Sequence, residues 1–276
     1  VKDVAPTVDA GMASIAVTVY SLAYDLTEVC APVELLPLEF SGFDIKQITD
    51  RLVYPSAGVS AVFDGPAGAK FAKIRCEPDG VIHPFLVELA LQRGYVLSDL
   101  PNGDLLFRSE APTGTPVARL SGQPLGRVSV TFEPGSWFSR ITGRASQKAG
   151  RSGSQFSQLN LLYRAENQRN YTLSVSDTES ADVPKAVKAA VGRMVATVAS
   201  YTIEDLPGWR DPKGALWRPN TTVTLLAPEA MVYKETELLI RAVKLHQSSE
   251  IETATLSLVL PGTFGGQLPK ELPWDS

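Results

Sequence analysis

The chain has 276 residues, enough for two domains with separate cores, and its 44% apolar and 20% charged content is that of a folded globular protein. Its net charge of −4 excludes a global basic field for gathering nucleic acid, and no apolar run reaches the roughly 18 residues needed to span a bilayer. Two cysteines, Cys30 and Cys76, without a CxxC partner exclude a disulfide scaffold and a recognisable zinc motif, and read as small buried apolar residues.

The opening "VKDVAPTVDAGMAS" has neither the charged nor the apolar region of a signal peptide. It reads either as starting partway into a longer protein or as lacking a disordered start. "SIAVTVYSLAYDLTEVC" (14–30) is rich in β-branched and aromatic residues and predicts one or two strands. In "GFDIKQITDRLVYP", Ile45, Ile48 and Leu52 stand at helical spacing, with Gly42 and Pro55 as start and stop. "VSAVFDG" and "AKFAKIRCE" read as extended. The segment 80–110 predicts a helix containing Val87 and Leu91 and capped by Gly94. A hairpin turning at Asn102-Gly103 follows. Residues 33–112 therefore read as a small α/β module.

The Pro-, Gly- and Thr-rich stretch 111–126 marks a boundary. "RVSVTFEP" predicts a strand, whereas "GSWFSRITGRASQKAGRSGSQFSQ" (135–158) reads as a long polar loop. "LNLLYRAEN" and "NYTLSVSD" read as strands paired around Gln168-Arg169. "DVPKAVKAAVGRMVATVASYTIEDL" opens with Asp182 as N-cap and Pro184 in the first turn, then changes from helix to strand. "TTVTLLAPEA", "TELLIRAVKLHQ" and "ETATLSLVLPG" are three further strands. The second half thus predicts a β-barrel or sandwich carrying one helix.

Little in the chain points to catalysis. It has two histidines: His83 precedes a proline at a helix start, and His246 ends a strand. No GxSxG nucleophile motif or GxxxxGK[ST] phosphate loop occurs. Carboxylate pairs such as Glu34 with Glu39 or Glu235 with Glu237 are of the kind expected by chance among thirty acidic residues. No catalytic, cofactor or metal residue is assigned. Arg140, Arg144, Lys148 and Arg151 recur every three or four positions, but Gly143, Gly150 and Gly153 oppose a helix there. They read as a solvated loop or as a local basic patch facing an acidic partner or a nucleic-acid channel. "GWRDPKGALWRPN" (208–220) sets Trp209 and Trp217 among Arg210, Lys213 and Arg218. It reads as an exposed aromatic platform or as a loop covering a barrel end; the strands that follow favour burial of at least one tryptophan.

Read in order, "GWRDPKGALWRPNTTVTLLAPEAMVYKETELLIRAVKL" followed by "ETATLSLVLPGTF" resembles the C-terminal segment of Mu-like phage tail baseplate hub proteins, the late control protein D or tail hub family. That pattern has a GW, a W-x-PN, an AP and an LVLP-like strand end. "VYSLAYDLTEVCAP" and "VIHPFLVELALQRGYVLSDLPNGDLLF" resemble its upstream elements, so the likeness covers most of residues 17–264.

The resemblance implies a non-enzymatic homotrimer in which two tube-like barrels per subunit make a pseudo-sixfold ring. That ring joins the tail tube to the central spike. It also implies contacts with baseplate wedge and tape measure proteins, and passage of DNA without specific binding during genome ejection into the host. The expected place is the virion, after synthesis in the host cytoplasm, with no cofactor and no membrane insertion. The division so implied is 1–32 as a remnant or C-terminal part of a first barrel, 33–115 as an α/β module, 116–265 as a second barrel and 266–276 as a tail. The expected fold class is mainly β with an α+β insert. Arg140, Arg144, Lys148, Arg151, Arg210, Lys213 and Arg218 are expected to contact a neighbouring subunit or the tube lumen. Two other readings stay open: a tail-associated cell-wall hydrolase, and a carbohydrate-binding module using Trp209 and Trp217.

Overall fold

The computed structural model describes residues 3–9, 12–18, 20–108, 114–122, 126–145, 154–175, 182–247, 251–261, 268–269 and 271–275. The chain divides into two compact units, Val1–Arg108 and Ser109–Ser276.

The first unit opens with an antiparallel hairpin, β1 (Asp3–Asp9) and β2 (Met12–Thr18). The extended reading of 14–30 holds only as far as Thr18, because Leu22–Thr27 is a 3₁₀ helix. Ala23 and Leu26 are its buried residues, a spacing of three that a strand cannot place on one face. Then come β3 (Glu39–Phe40), α1 (Ile45–Ala57), β4 (Ala61–Asp64), β5 (Ile74–Arg75), α2 (Ile82–Arg93), β6 (Val96–Asp99) and β7 (Leu105–Arg108).

β4 pairs in parallel with β7, which pairs antiparallel with β6, and β3 pairs with β5. The hairpin at Asn102-Gly103 is present, with Gly103 at φ 92°. Helix α1 starts and stops differently from the sequence expectation. Asp44 and Gln47 form a reciprocal capping box, and Gly58, in the left-handed region, ends the helix after Pro55 has removed one bond from its last turn. The unit's core joins Leu26, Phe40, Ile45, Ile48, Leu52, Phe71, Ile82, Leu86, Tyr95 and Phe107. Cys76 lies within it, and Cys30 is exposed, contrary to the expectation of two buried thiols.

The second unit contains β8 (Ala118–Ser121), β9 (Arg127–Phe132), β10 (Arg140–Ala145), β11 (Gln155–Leu159), β12 (Asn170–Val175), α3 (Asp182–Val198), β13 (Ala199–Pro207), β14 (Thr222–Ala227), β15 (Val232–Gln247) and β16 (Glu252–Val259). Six strands form one sheet in the order β8-β14-β15-β16-β13-β9, and three form another in the order β11-β10-β12. Helix α3 packs against strands of both sheets. Its buried face is built from Val183, Ala186, Val187, Ala190, Val191, Met194, Val195 and Val198.

The expected closed barrel is not found among the described residues; the six-stranded sheet is curled and open. Its edge strands β8 and β9 are consecutive in the chain, and the Ser121–Arg127 link reaches at most about 21 Å. Five interstrand spacings of a flat sheet come to about 24 Å, so the sheet must bend its edges toward each other. Between them β9 meets the turn Pro228–Ala230, and a cleft of about 410 Å³ lined by Gly122, Gly126, Val128 and Pro228 takes the place of a closing ladder. The described part of the C-terminal segment packs rather than trails. Leu272 is buried, Trp274 meets Phe132 edge to face, and the Tyr233 amide donates to Pro273 O.

Candidate interaction surfaces

The stretch 135–158, expected as a loop, instead supplies two paired strands. In β10 the side chains alternate: Ile141 and Gly143 are buried, while Arg140 and Arg144 are exposed. Gly143 admits α3 to the sheet, because a Cβ there would lie 2.6 Å from Val187 Cγ2 and 2.9 Å from Val183 Cγ1. The outer face of the three-stranded sheet is consequently polar except at Leu159, which stands exposed opposite Arg140. Arg140, Thr142 and Arg144 are flanked by Gln155 and Ser157 on one side and by Asn170, Thr172 and Ser174 on the other. Thr142 and Ser157 hydroxyls bond across the ladder at 2.9 Å. Lys148 and Arg151 lie outside the described residues.

The expected pairing of "LNLLYRAEN" with "NYTLSVSD" is also replaced. β12 runs parallel to β10, and residues 160–169 form a loop. Buried Asn160 organises the turn: its Nδ2 donates to Phe138 O and its Oδ1 accepts from the Leu162 amide. Leu161 is left 85% exposed beside a cleft of about 400 Å³ that Arg140 also lines.

The loop 208–220 is a built structure rather than an open platform. Trp217 is buried in the second unit's core, so it cannot offer its ring to a sugar or a base. Trp209 is half-buried and its Nε1 donates to His246 O at 2.9 Å. Between them the Asp211 carboxylate accepts from the amides of Lys213 and Ala215, the Gly214 amide donates to Asp211 O, and Arg210 Nη1 donates to Gly214 O. Asn220 takes the left-handed conformation, φ 62°, and its amide donates to Ile240 O. Arg210, Lys213 and Arg218 are thus held outward on a rigid excursion, all exposed. Among the described residues, no hydrogen bond or ion pair joins these three to Arg140 or Arg144.

In the first unit, Ser21, Tyr24, Thr27, His83 and Asp99 line a hollow of about 160 Å³. Burial pushes the His83 pKa down, against the pull of Asp99. Three residue types of a hydrolytic triad meet here, but Ser21 Oγ donates to Asp99 Oδ2 at 2.9 Å. A triad needs the imidazole between nucleophile and acid, so this order does not activate the serine. The carboxylate pairs are dispersed as well: Glu39 pairs with Lys73 and Glu235 with Arg119. Sequence reasoning did not find this hollow, because its walls come from the 3₁₀ helix, α2 and β6.

No family model and no curated protein matches the sequence. Solved structures do match it. The prophage MuSo2 43 kDa tail protein from Shewanella oneidensis superimposes with a TM-score of 0.79 at 21% identity, covering 95% of this chain and 77% of that one. A tail protein from Neisseria meningitidis MC58 also gives 0.79, at 20% identity over 96% of this chain and 80% of the other. The prophage tail protein gp18 from Listeria monocytogenes EGD-e gives 0.54 at 14% identity, over 94% and 75%. This chain has the mainly β fold of phage tail proteins.

Proposed function

We propose that this protein is a structural baseplate hub of a phage-type tail, acting in the virion as a homotrimer that joins the tail tube to the central spike. The observation that carries the reading is the similarity to a Mu prophage tail protein along 95% of the chain, with both units included. The work of such a part is geometric. A trimer whose subunits each present two similar halves can match a threefold spike on one side and a sixfold tube on the other. On this reading residues 1–32 belong to a first tube-like domain, 33–115 form the decorating module, 116–265 form the second tube-like domain and 266–276 its terminal segment. The protein is made in the host cytoplasm, meets tube, spike, wedge and tape measure proteins, and lets DNA pass without binding it specifically. Arg140, Arg144, Lys148 and Arg151 face a neighbour or the lumen, and Arg210, Lys213 and Arg218 meet a neighbouring subunit. The chain has no enzymatic role.

The test is the mass of the purified chain, alone and mixed with the spike protein of the same particle. A trimer that takes up the spike is expected, and a monomer that ignores it would sink the reading. Clearing of a peptidoglycan suspension, abolished by replacing one carboxylate, would transfer the assignment to a hydrolase.

A further inference from the structure

The two units carry opposite excess charge. Residues 1–108 hold fourteen acidic side chains against eight basic ones, and residues 109–276 hold eighteen basic against sixteen acidic. Each unit also gathers its excess at a surface that exposes apolar side chains.

In the second unit, the chain leaves β13 at Pro207, crosses the β15–β16 pair and enters β14 at Thr222. Three bonds fasten this crossing to the strands beneath it: Gly208 amide to Glu252 O, Trp209 Nε1 to His246 O, and Asn220 amide to Ile240 O. The crossing spans the stretch of β15 from Ile240 to His246, which carries Arg241 and Lys244, and these two are exposed, as are Arg210, Lys213 and Arg218 of the loop. Among the described residues, Asp205 and Glu252 are exposed carboxylates near this end, and the Asp211 carboxylate is turned into the loop. Leu216 (38%) of the loop and Leu245 (43%) of β15 are exposed in the same two segments. The loop is already held in shape by its own hydrogen bonds, so little ordering remains to oppose association.

In the first unit, the Ser21–Asp99 bond ties the start of the 3₁₀ helix to β6, and Leu22 lies against Gly103 of the β6–β7 turn. Asp25, Glu28 and Asp99 are exposed on this face, with Tyr20 (46%) and Leu22 (58%) between them. Tyr20 stacks on Tyr24 at 4.1 Å. The hollow lined by Tyr24 and Asp99 has no lysine or arginine in its wall. A side-chain cation entering it would meet both a carboxylate and an aromatic ring.

We propose that the cationic end formed by residues 208–221 and β15 docks on the acidic, tyrosine-bearing face of residues 20–28 and Asp99 in a second copy of this chain. The inference rests on the homotrimer reading and names its contact. The two surfaces carry opposite charge, and every copy carries both. Such a contact is heterologous, and it forms a closed ring when its rotation closes. The exposed Leu216 and Leu245 match Leu22 and Tyr20 in a way that a phosphate backbone does not, so the partner is protein rather than nucleic acid.

Sedimentation of the purified full chain tests the contact. The wild type is expected as a trimer, and the Lys213→Glu, Lys244→Glu variant is expected to lose it while keeping the wild-type unfolding transition. Adding Asp25→Lys and Asp99→Lys to that variant is expected to restore the trimer, since the charges then match in reverse. Asp25→Lys alone, at an exposed position, weakens association without touching the Ser21–Asp99 bond. A trimer that survives the first pair of substitutions overturns the contact and leaves the trimer reading standing. A wild type that stays monomeric at every concentration overturns both. Loss without rescue by the reversed pair overturns the matching of these two surfaces. An unchanged trimer that no longer retards double-stranded DNA assigns the cationic end to nucleic acid and overturns the protein contact.

Discussion

The two units are built on different kinds of core. The first packs large rings: Phe63 and Phe107 stack at 4.4 Å, Tyr95 meets both edge-on, and Phe40 and Phe71 are fully buried. In the main core of the second, Tyr201 and Trp217 are the aromatic members among the described buried residues, and the rest are largely Ala, Val, Leu and Ile. Two short helices beside a three-stranded sheet leave thick spaces that rings fill. A helix that must lie against two sheets at once needs small side chains, down to Gly143 with none. Bulk can be exchanged for bulk in the first unit, whereas the second depends on closeness.

The strongest way to break this comparison is to remove the largest side chain from the closely packed unit. Trp217→Ala is expected to cost about 3–5 kcal/mol in urea unfolding, because the cavity lies where the loop 208–220 closes the core. Hydrogen exchange followed by mass spectrometry should show lost protection within residues 109–276 and little change within 1–108. Equal loss in both would mean that the cores are not separate. Gly143→Ala asks the opposite question, since one added methyl has nowhere to go. An overpacking cost of about 1–3 kcal/mol is expected, with the loosened amides in α3 and β10. Val187→Ala in the same chain should recover part of it, because Val187 Cγ2 is the nearest obstacle.

This difference also governs how much of the fold was legible in the sequence. Elements announced by local chemistry could be read directly: the Asn102-Gly103 turn, the Gly94 cap, the apolar stripe of α3 and the three alternating strands at the end. The Asp44-x-x-Gln47 capping box is a local signal of the same kind, two residues beyond Gly42. β10 and β11 were not legible, because most of their outward positions are polar and Gly143 looks like a loop residue until α3 is known to rest on it. The parallel pairs β8–β14 and β10–β12 join segments far apart in the chain, and no local signal announces them. Among the candidate residues, Arg210, Lys213 and Arg218 could be read as one stretch. Arg241 and Lys244 join them only through the path of the loop over β15.

A smaller effect is expected in the first unit, where local signals carry more of the structure. Asp44 Oδ1 accepts from the Gln47 amide at 2.9 Å, and Gln47 Oε1 accepts from the Asp44 amide at 3.0 Å. Asp44→Ala removes the acceptor and should cost about 0.5–2 kcal/mol, read as a lower urea midpoint with an unchanged slope. Asp44→Ser, which keeps an acceptor, should recover most of it. Thiol labelling separates the cysteines on a finer scale. Exposed Cys30 should react in the folded protein, whereas Cys76 should wait for unfolding, since burial, with Glu77 and Cys30 behind it, pushes its pKa up and keeps it a thiol.

The smallest effect concerns His83, and its sign follows from the direction of its shift. Burial lowers the pKa of the folded state below the ordinary value near 6.5, with Asp99 opposing. The unfolded chain therefore binds the proton more readily, and between the two pKa values stability rises with pH. The contribution of neutral His83 is complete above about 6.5 and is lost as pH falls through the ordinary histidine value toward the folded one. Urea midpoints measured from pH 8 down to pH 5 should fall in this window for the wild type. The fall should be shallower in His83→Gln, which has no proton to gain. Asp99→Asn removes a charge that favours the protonated ring, so its fall should be steeper. An identical profile in all three proteins would mean that burial of this ring has no consequence for folding.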